Sequence, residues 1–282
     1  NGGAGADTIN GGAGADTITG GAGADTITGD AGADVFLIAA AADHATGETI
    51  VGGADADTIR FTSTTASETL ALLAGVTDAD NAITVEISDA AGANTGTTAL
   101  NVNADALVDT LVVTLIGNDG DNVLVGNATA DTINGGAGAD TITGGAGADT
   151  ITGDAGADVF LIAAAADHAT GETIVGGADA DTIRFTSTTA SETLALLAGV
   201  TDADNAITVE ISDAAGANTG TTALNVNADA LVDTLVVTLI GNDGDNVLVG
   251  NATADTINGG AGADTINGGA GADTITGGAG AD

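Results

Sequence analysis

A nine-residue repeat rich in glycine and aspartate constrains this chain more than any other feature of its sequence. The repeat reads GGAGADTIN at 2–10, GGAGADTIT at 11–19 and again at 20–28, and GDAGADVFL at 29–37. Comparable runs begin at Gly117 and Gly241, and single copies of the form GGADADTIR occupy 52–60 and 176–184. A unit this short cannot bury an apolar face by itself, so successive copies have to stack on one another.

A second, longer period contains the first. Residues 10–133 recur without a change as 134–257, which defines a tandem unit of 124 residues. We expect β-roll blocks at 1–37, 117–161 and 241–282, separated by spacers at 38–116 and 162–240. Because the chain starts inside one nonapeptide and stops inside another, we interpret it as part of a longer array.

Each nonapeptide divides into a turn and a strand. Its first six residues turn sharply, and glycine supplies the positive φ that such turns need. Its last three residues form a short strand whose middle residue points inward, as predicted for Ile18 and Phe36. If two nonapeptides make one turn of the coil, strands 18 residues apart stack at about 4.8 Å. The pattern therefore predicts an all-β, parallel β-roll.

The same stacking brings aspartates together. The expected pairs are Asp7 with Asp25, Asp16 with Asp34, Asp131 with Asp149, Asp140 with Asp158, and Asp255 with Asp273. Stacked carboxylates repel each other strongly in a poorly solvated site unless a cation lies between them. Oxygen ligands of this kind suit calcium best, and glycine-turn carbonyls would complete its coordination.

Composition supports a cation-dependent fold. The chain has 40 acidic residues against two arginines, Arg60 and Arg184, and a formal net charge of −38. Nucleic acid and anionic membrane are therefore unsuitable partners. There is no cysteine for disulfides, and no apolar run approaches the ~18 residues of a transmembrane segment.

The spacers are less regular. The segment 65–74, TASETLALLA, has a capping residue, Leu70 and Leu73 three apart and a glycine after it, which predicts a short helix. Alternating apolar residues predict strands at 83–87, 100–102 and 111–115, with a turn at 89–97. The sequence leaves open whether the spacer continues the coil or forms a side domain.

The tandem GGxGxDxUx motif makes the chain resemble the RTX (repeats-in-toxin) family of calcium-loaded parallel β-rolls. The resemblance implies roughly one Ca²⁺ per GGxGxD turn, bound by the carbonyls of positions one and three and the carboxylate of position six. The carboxylate ligands would be Asp7, Asp16, Asp25, Asp34, Asp57, Asp131, Asp140, Asp149, Asp158, Asp181, Asp255, Asp264, Asp273 and Asp282. The carbonyl ligands would be Gly2, Ala4, Gly11, Ala13, Gly20, Ala22, Gly135, Ala137, Gly144, Ala146, Gly259, Ala261, Gly268 and Ala270. The family also implies type I secretion and folding outside the cell.

Some repeats depart from the motif. Asn122 and Asn246 replace the aspartate, and Thr129 and Thr253 replace the third glycine, so these turns are weaker candidates for calcium. Asp30 and Asp154 replace a glycine, and we interpret both as solvated turn formers rather than as extra ligands.

Identical units without catalytic features favour an extracellular structural array: a surface filament, an S-layer or an adhesin extender that associates with itself. The alternative is the roll region of an RTX toxin or a secreted enzyme, and ice binding through outward threonine ladders is a minor one. No enzyme is predicted, because His44 and His168 have no nucleophile motif beside them and are interpreted as solvated loop residues. The four phenylalanines are predicted to be core residues.

Overall fold

The computed structural model describes residues 1–108, 110–232 and 234–282. They divide into two compact units, Asn1–Thr141 and Ile142–Asp282. The regular secondary structure of both units is almost wholly short β-strands that pair in parallel, which confirms the all-β, parallel β-roll prediction. The block and spacer boundaries drawn from the sequence stay a prediction.

The first unit contains the strands β1 (Gly3–Ala4), β2 (Thr8–Ala13), β3 (Thr17–Ile18), β4 (Gly21–Ala22), β5 (Thr26–Ala31), β6 (Val35–Ile38), β7 (Thr49–Ala54), β8 (Asp57–Phe61), β9 (Glu68–Ala71), β10 (Val76–Thr77), β11 (Ala82–Ile87), β12 (Leu100–Asn103), β13 (Val112–Ile116), β14 (Val123–Val125) and β15 (Thr132–Ala137). A 3-10 turn, Ala41–Asp43, lies between β6 and β7. The strands stack in the orders β2-β5-β7-β10, β3-β6-β8-β11-β13-β15 and β9-β12-β14, with a small β1-β4 pair.

The spacer of the first unit continues the coil, which answers the question that the sequence leaves open. Strand β8 of the last nonapeptide pairs with β11, β11 pairs with β13, and β13 pairs with β15 at the start of the next block. The sequence separation between residues that face each other on stacked strands grows from 18 in the block to 32 in the spacer. The additional residues form loops between strands. The core therefore keeps its register, while each turn of the coil, here called a rung, contains more residues.

A ladder of apolar side chains runs through this stack. Register places Ile18 beside Phe36, Phe36 beside Ile59, and Val85 between Ile59 and Leu115. All five are buried, as are the four phenylalanines of the chain, which confirms the prediction for the core. Burial of these side chains stabilises the stack by about 25 cal/mol per Å² of apolar surface.

The helix predicted at 65–74 is wrong. Residues Glu68–Ala71 form strand β9, which pairs in parallel with β12. The buried leucines are Leu70 and Leu72, two apart as in a strand, while Leu73 is partly exposed. Pairing with a neighbouring rung outweighs local helix propensity, which amounts to less than about 1 kcal/mol per residue. The strands predicted around 83–87, 100–102 and 111–115 are confirmed as β11, β12 and β13.

The second unit repeats this organisation. Its strands are β16 (Thr141–Thr143, which begins at the boundary), β17 (Thr150–Ala155), β18 (Val159–Ile162), β19 (Thr173–Ala178), β20 (Asp181–Phe185), β21 (Thr193–Ala195), β22 (Val200–Thr201), β23 (Ala206–Ile211), β24 (Asn225–Asn227), β25 (Val236–Ile240), β26 (Val247–Val249), β27 (Thr256–Ala261), β28 (Thr265–Asn267) and β29 (Thr274–Ala279). A 3-10 turn, Ala165–Asp167, precedes β19. Stacking follows β17-β19-β22, β18-β20-β23-β25-β27-β29 and β21-β24-β26-β28.

The glycine turns need both positive φ and close packing. Gly21 has φ +96°, and a Cβ at this position would collide with the carbonyl oxygen of Gly3 in the neighbouring rung. Asp30 takes the equivalent place with φ +77° and an exposed side chain, as expected for a turn former.

Candidate metal centre

The motif aspartates do meet across rungs. Oδ1 of Asp25 accepts a hydrogen bond from the main-chain N–H of Asp7 at 2.9 Å, and Oδ1 of Asp34 accepts one from Asp16 at 2.8 Å. In the second unit, Asp255 and Asp264 donate in the same way to Asp273 and Asp282. Each carboxylate thus satisfies a backbone donor that the tight turn leaves without a partner. The pairs Asp131 with Asp149 and Asp140 with Asp158 stay predictions.

The second carboxylate oxygen has a different environment. Asp25 and Asp34 are fully buried, and the Oδ2 atom of each has no hydrogen-bond partner. The same holds for the buried Oδ2 atoms of Asp7, Asp16, Asp57, Asp181 and Asp264. A buried carboxylate oxygen without a partner is strongly destabilising. A cation beside these atoms would offset that cost, and the chain has only two arginines.

A backbone oxygen lies beside each of these carboxylates. A Cβ built on Gly2 would lie 2.6 Å from both Asp7 Oδ2 and the carbonyl oxygen of Gly20. At Gly11, the corresponding point lies 2.9 Å from Asp16 Oδ2 and 3.0 Å from the carbonyl oxygen of Gly29. The first-position carbonyl that faces a given aspartate therefore comes from the next rung. Hard oxygen atoms gathered in this way fit Ca²⁺.

Third-position carbonyls already take part in the ladder. The carbonyl oxygens of Ala22 and Ala31 accept hydrogen bonds from Gly5 and Gly14 at 2.7 and 2.6 Å. One such bond leaves a carbonyl lone pair for another interaction. Calcium ligation stays a prediction for all the first-position and third-position carbonyls named from the sequence, including those of Gly2, Gly11, Gly144, Ala4, Ala13, Ala137, Ala146, Ala261 and Ala270. Within the described ranges no three Asp, Glu or His side chains converge, so backbone oxygens would supply most of the coordination.

The asparagine turns are satisfied without an ion. Asn122 replaces the aspartate, and its Nδ2 donates to the carbonyl of Leu100 at 2.8 Å and to Oδ1 of Asn118 at 3.1 Å. Its Oδ1 accepts the N–H of Asn118, and Asn246 repeats the arrangement. The N–H groups of the side-chain amide therefore take the place that a cation would occupy in a regular repeat. The carbonyls of Gly135 and Gly259 face these two asparagines.

The threonine-containing turns are satisfied differently. Oδ2 of Asp131 accepts the N–H of Asn127 at 2.8 Å, and its Oδ1 accepts the hydroxyl of Thr129 at 2.8 Å and the N–H of Val113. Equivalent bonds surround Asp255. Calcium ligation by Asp131 and Asp255 stays a prediction, with both carboxylates already bound by protein donors.

Two further carboxylates belong to this system and were missed from the sequence. Asp78 and Asp202 lie in the turns after β10 and β22, and their buried Oδ2 atoms point at those of Asp57 and Asp181. The available signal was VTDAD at 76–80, which repeats the alternating aspartates of the preceding ADAD. The 18-residue rule also missed the contact between Asp34 and Asp57, where the separation is 23.

Burial dominates the electrostatics of these aspartates. It raises the pKa of Asp57 to about 6 and that of the equivalent Asp181 to about 7. The neighbouring Asp78 and Asp202 add to the rise, and the N–H donors from Asp34 and Asp158 oppose it. Burial raises the pKa of Asp131 and Asp264 as well. The protein without a counterion therefore holds these carboxylates at an electrostatic cost.

The interpretation of His44 and His168 as solvated loop residues is wrong. Both are buried, at 6% and 5% exposure. Nδ1 of His44 lies 3.2 Å from Oε1 of Glu48, and its Nε2 accepts the N–H of Leu73 at 3.3 Å. Glu48 takes the position of the motif aspartate in GETI at 47–50. The histidine therefore contacts a glutamate at a turn that has no aspartate. The pair has a structural role in the spacer.

Parallel rungs, glycine turns and inward-facing carboxylates define a β-roll of the calcium-binding kind. The family model for the RTX calcium-binding nonapeptide repeat matches residues 1–36, 45–60, 114–142, 125–160, 169–184, 238–266 and 249–282, which is more than half of the chain. The chain belongs to this family, and it binds calcium through these repeats. Comparison with curated proteins found no match, and comparison with solved structures found none either. No helix in the described ranges is long and apolar enough to cross a membrane.

Proposed function

We propose that this chain is a non-catalytic, calcium-dependent structural segment of an extracellular filament, surface layer or adhesin extender. The observation that carries the proposal is the coil that continues through block and spacer alike within each unit, with unpartnered carboxylate oxygens along it. Such a stack adds length with every repeat, because each rung contacts only its neighbours.

Calcium dependence supports an extracellular location. A chain with a net charge of −38 and buried carboxylates is held apart by its own charge until cations bind. Folding and metal binding are then one event, which occurs where calcium is abundant. Millimolar calcium is typical of the sites in extracellular modules, which bind with Kd values of about 10⁻⁴ to 10⁻³ M. Type I secretion, which the family implies, fits the same scheme.

Self-association is part of the proposal. Three valines of the first unit, Val108, Val112 and Val123, are about 40% exposed, and the second unit exposes the equivalent set. Exposed apolar residues at the same places in every unit offer contacts that recur along an array.

The first experiment is a calcium titration of the 282-residue chain in which far-UV circular dichroism and bound ions are followed together. We expect a cooperative gain of β signal that coincides with ion uptake. Electron microscopy of the loaded protein should then show fibres or a lattice. A chain that is fully folded in chelator would overturn the calcium dependence. Loaded protein that stays monomeric at high concentration would overturn the assembly role alone.

A further inference from the structure

Asp57 and Asp78 form an arrangement that no other described rung of the first unit has. Asp57 is the sixth residue of GGADADTIR at 52–60, whereas Asp78 lies in the spacer turn that follows β10. Strand β7 pairs with β10 so that Val51 lies beside Thr77, and the next position sets Asp78 opposite Gly52. Regular rungs have a glycine at the place of Asp78, and its carbonyl oxygen faces the aspartate. Here a side-chain carboxylate replaces that carbonyl.

Each of the two carboxylates is held in place through one of its own oxygens, Oδ1. Oδ1 of Asp57 accepts the N–H of Asp34 at 2.8 Å, and Oδ1 of Asp78 accepts the N–H of Asp80 at 2.8 Å. The two side chains are 1% and 8% exposed. Each Oδ2 is buried and has no hydrogen-bond partner. A Cβ built on Gly52 would lie under 3.0 Å from both Oδ2 atoms, so they border the same point.

The second unit repeats the arrangement with Asp181 and Asp202 around Gly176. Asp181 is 1% exposed and Asp202 is 8% exposed. Oδ1 of Asp181 accepts the N–H of Asp158, and Oδ1 of Asp202 accepts the N–H of Asp204. The geometry is therefore a feature of each unit.

Among the described residues of the first unit, no protein cation neutralises the pair. Arg60 is bound to the carboxylate of Glu86 and, at 3.1 Å, to the carbonyl oxygen of Ala90. Two buried carboxylates that share one point are mutually repulsive, and a cation between them turns the repulsion into attraction. Beside the pair, a surface cleft of about 150 Å³ lined by Asp55, Asp57 and Asp80 gives an ion an acidic approach.

We propose that Asp57 with Asp78, and Asp181 with Asp202, each hold a Ca²⁺ ion in a two-carboxylate site that extends beyond the nonapeptide pattern. A site with two carboxylates binds calcium more tightly than one with a single carboxylate, because affinity rises with ligand charge. These two sites fill first, and they fasten the isolated nonapeptide inside each spacer to the spacer turn that follows it. The inference rests on calcium binding by the chain and is independent of any assembly into filaments.

The test counts bound ions at limiting free calcium, by equilibrium dialysis with elemental analysis, on the 282-residue chain. The variant carries Asp78→Asn and Asp202→Asn, which keep the shape of the side chains and the acceptor for Asp80 and Asp204. We expect the loss of the two tightest ions per chain, or a rise of about tenfold or more in the calcium that half-fills them. The control, Asp105→Asn with Asp229→Asn, removes the same charge from exposed residues and should leave the tight ions unchanged.

An unchanged number and affinity of tight ions in the asparagine variant would overturn the proposal and assign a shared proton to the pair. Circular dichroism at saturating calcium reports whether that variant folds. If it does not, Asp78→Glu with Asp202→Glu keeps both charges and moves them by one methylene group. An altered affinity of the two tight ions then supports the proposal, and an unaltered one overturns it. Failure of filament assembly would leave all of these ion counts unchanged.

Discussion

The main-chain N–H of Asp16 donates a 2.8 Å hydrogen bond to Oδ1 of Asp34, which lies 18 residues later and one rung away. Oδ2 of Asp34 remains buried without a hydrogen-bond partner. One side chain therefore links two rungs through Oδ1 and leaves Oδ2 available to bind a cation. The same aspartate can therefore contribute both to the backbone ladder and to calcium binding.

Substitution of Asp34 and Asp158 by asparagine should separate the two roles of the carboxylate. The amide oxygen can still accept the backbone hydrogen bond, but the negative charge that attracts calcium is gone. We expect the midpoint of the calcium titration, followed by circular dichroism, to move to higher calcium by about tenfold. The matched control is Asp30→Asn with Asp154→Asn, which removes the same charge from exposed turns of the same nonapeptides. Equal shifts in the two variants would contradict the prediction.

Asn122→Asp with Asn246→Asp should destabilise the folded protein. The change removes the Nδ2 donors to Leu100 and Asn118 and places a charge in a buried turn. We expect a loss of about 1–3 kcal/mol per site in the free energy of unfolding, measured with urea at saturating calcium. Asn10→Asp with Asn258→Asp adds the same charge at exposed positions and should cost far less. A variant as stable as this control would show that the asparagine amides do not replace a cation.

His44→Ala with His168→Ala should lower stability without affecting calcium. The truncation leaves the N–H of Leu73 and the carboxylate of Glu48 buried without their partner. We expect a loss of about 1–3 kcal/mol per site in urea unfolding at saturating calcium, with the number of bound ions unchanged. The control Thr46→Ala with Thr170→Ala alters exposed residues of the same loops. A change in the ion count would contradict a purely structural role.

Asp89 should remain ionised in unusually acidic solution. Hydrogen bonds from the N–H groups of Ala93 and Ala91 hold its pKa below the ordinary value of 3.8, with a smaller contribution from Arg60. Because the folded pKa is lowered, the stabilisation is present above pH 3.8 and is lost as the pH falls through the folded pKa. An NMR titration of the Asp89 carboxyl carbon should give a midpoint below 3.8, and Arg60→Gln should raise that midpoint. A midpoint at or above 3.8 would contradict the prediction.

The regular part of the fold follows directly from the spacing of residues. Glycines at fixed places determine the turns, and inward residues such as Ile18 and Phe36 recur at the period of the strands. Because the nine-residue period is strict and two nonapeptides make one turn, the 18-residue offset between Asp16 and Asp34 could be predicted from the sequence alone. The departures of Asn122 and Thr129 from the motif were equally visible, although their hydrogen bonds were not.

The spacer shows where this reasoning fails. The leucines of 68–73 fit a helix locally, yet pairing with Leu100–Asn103 makes them a strand. Asp78 has no motif around it, and only the register of β10 against β7 sets it opposite Gly52 and beside Asp57. His44 was expected in solvent because no nucleophile motif or second ligand lies near it in sequence, whereas Leu73 and Glu48 contact its two ring nitrogens in the structure.

The sequence by itself determined the repeat, the parallel roll and the binding of calcium, since these depend on spacing, backbone freedom and charge. Only the tertiary structure decided that the spacer continues the coil and that Asp57 meets Asp78. Rungs of unequal length bring together residues whose separation follows no period, and such contacts depend on which strand pairs with which.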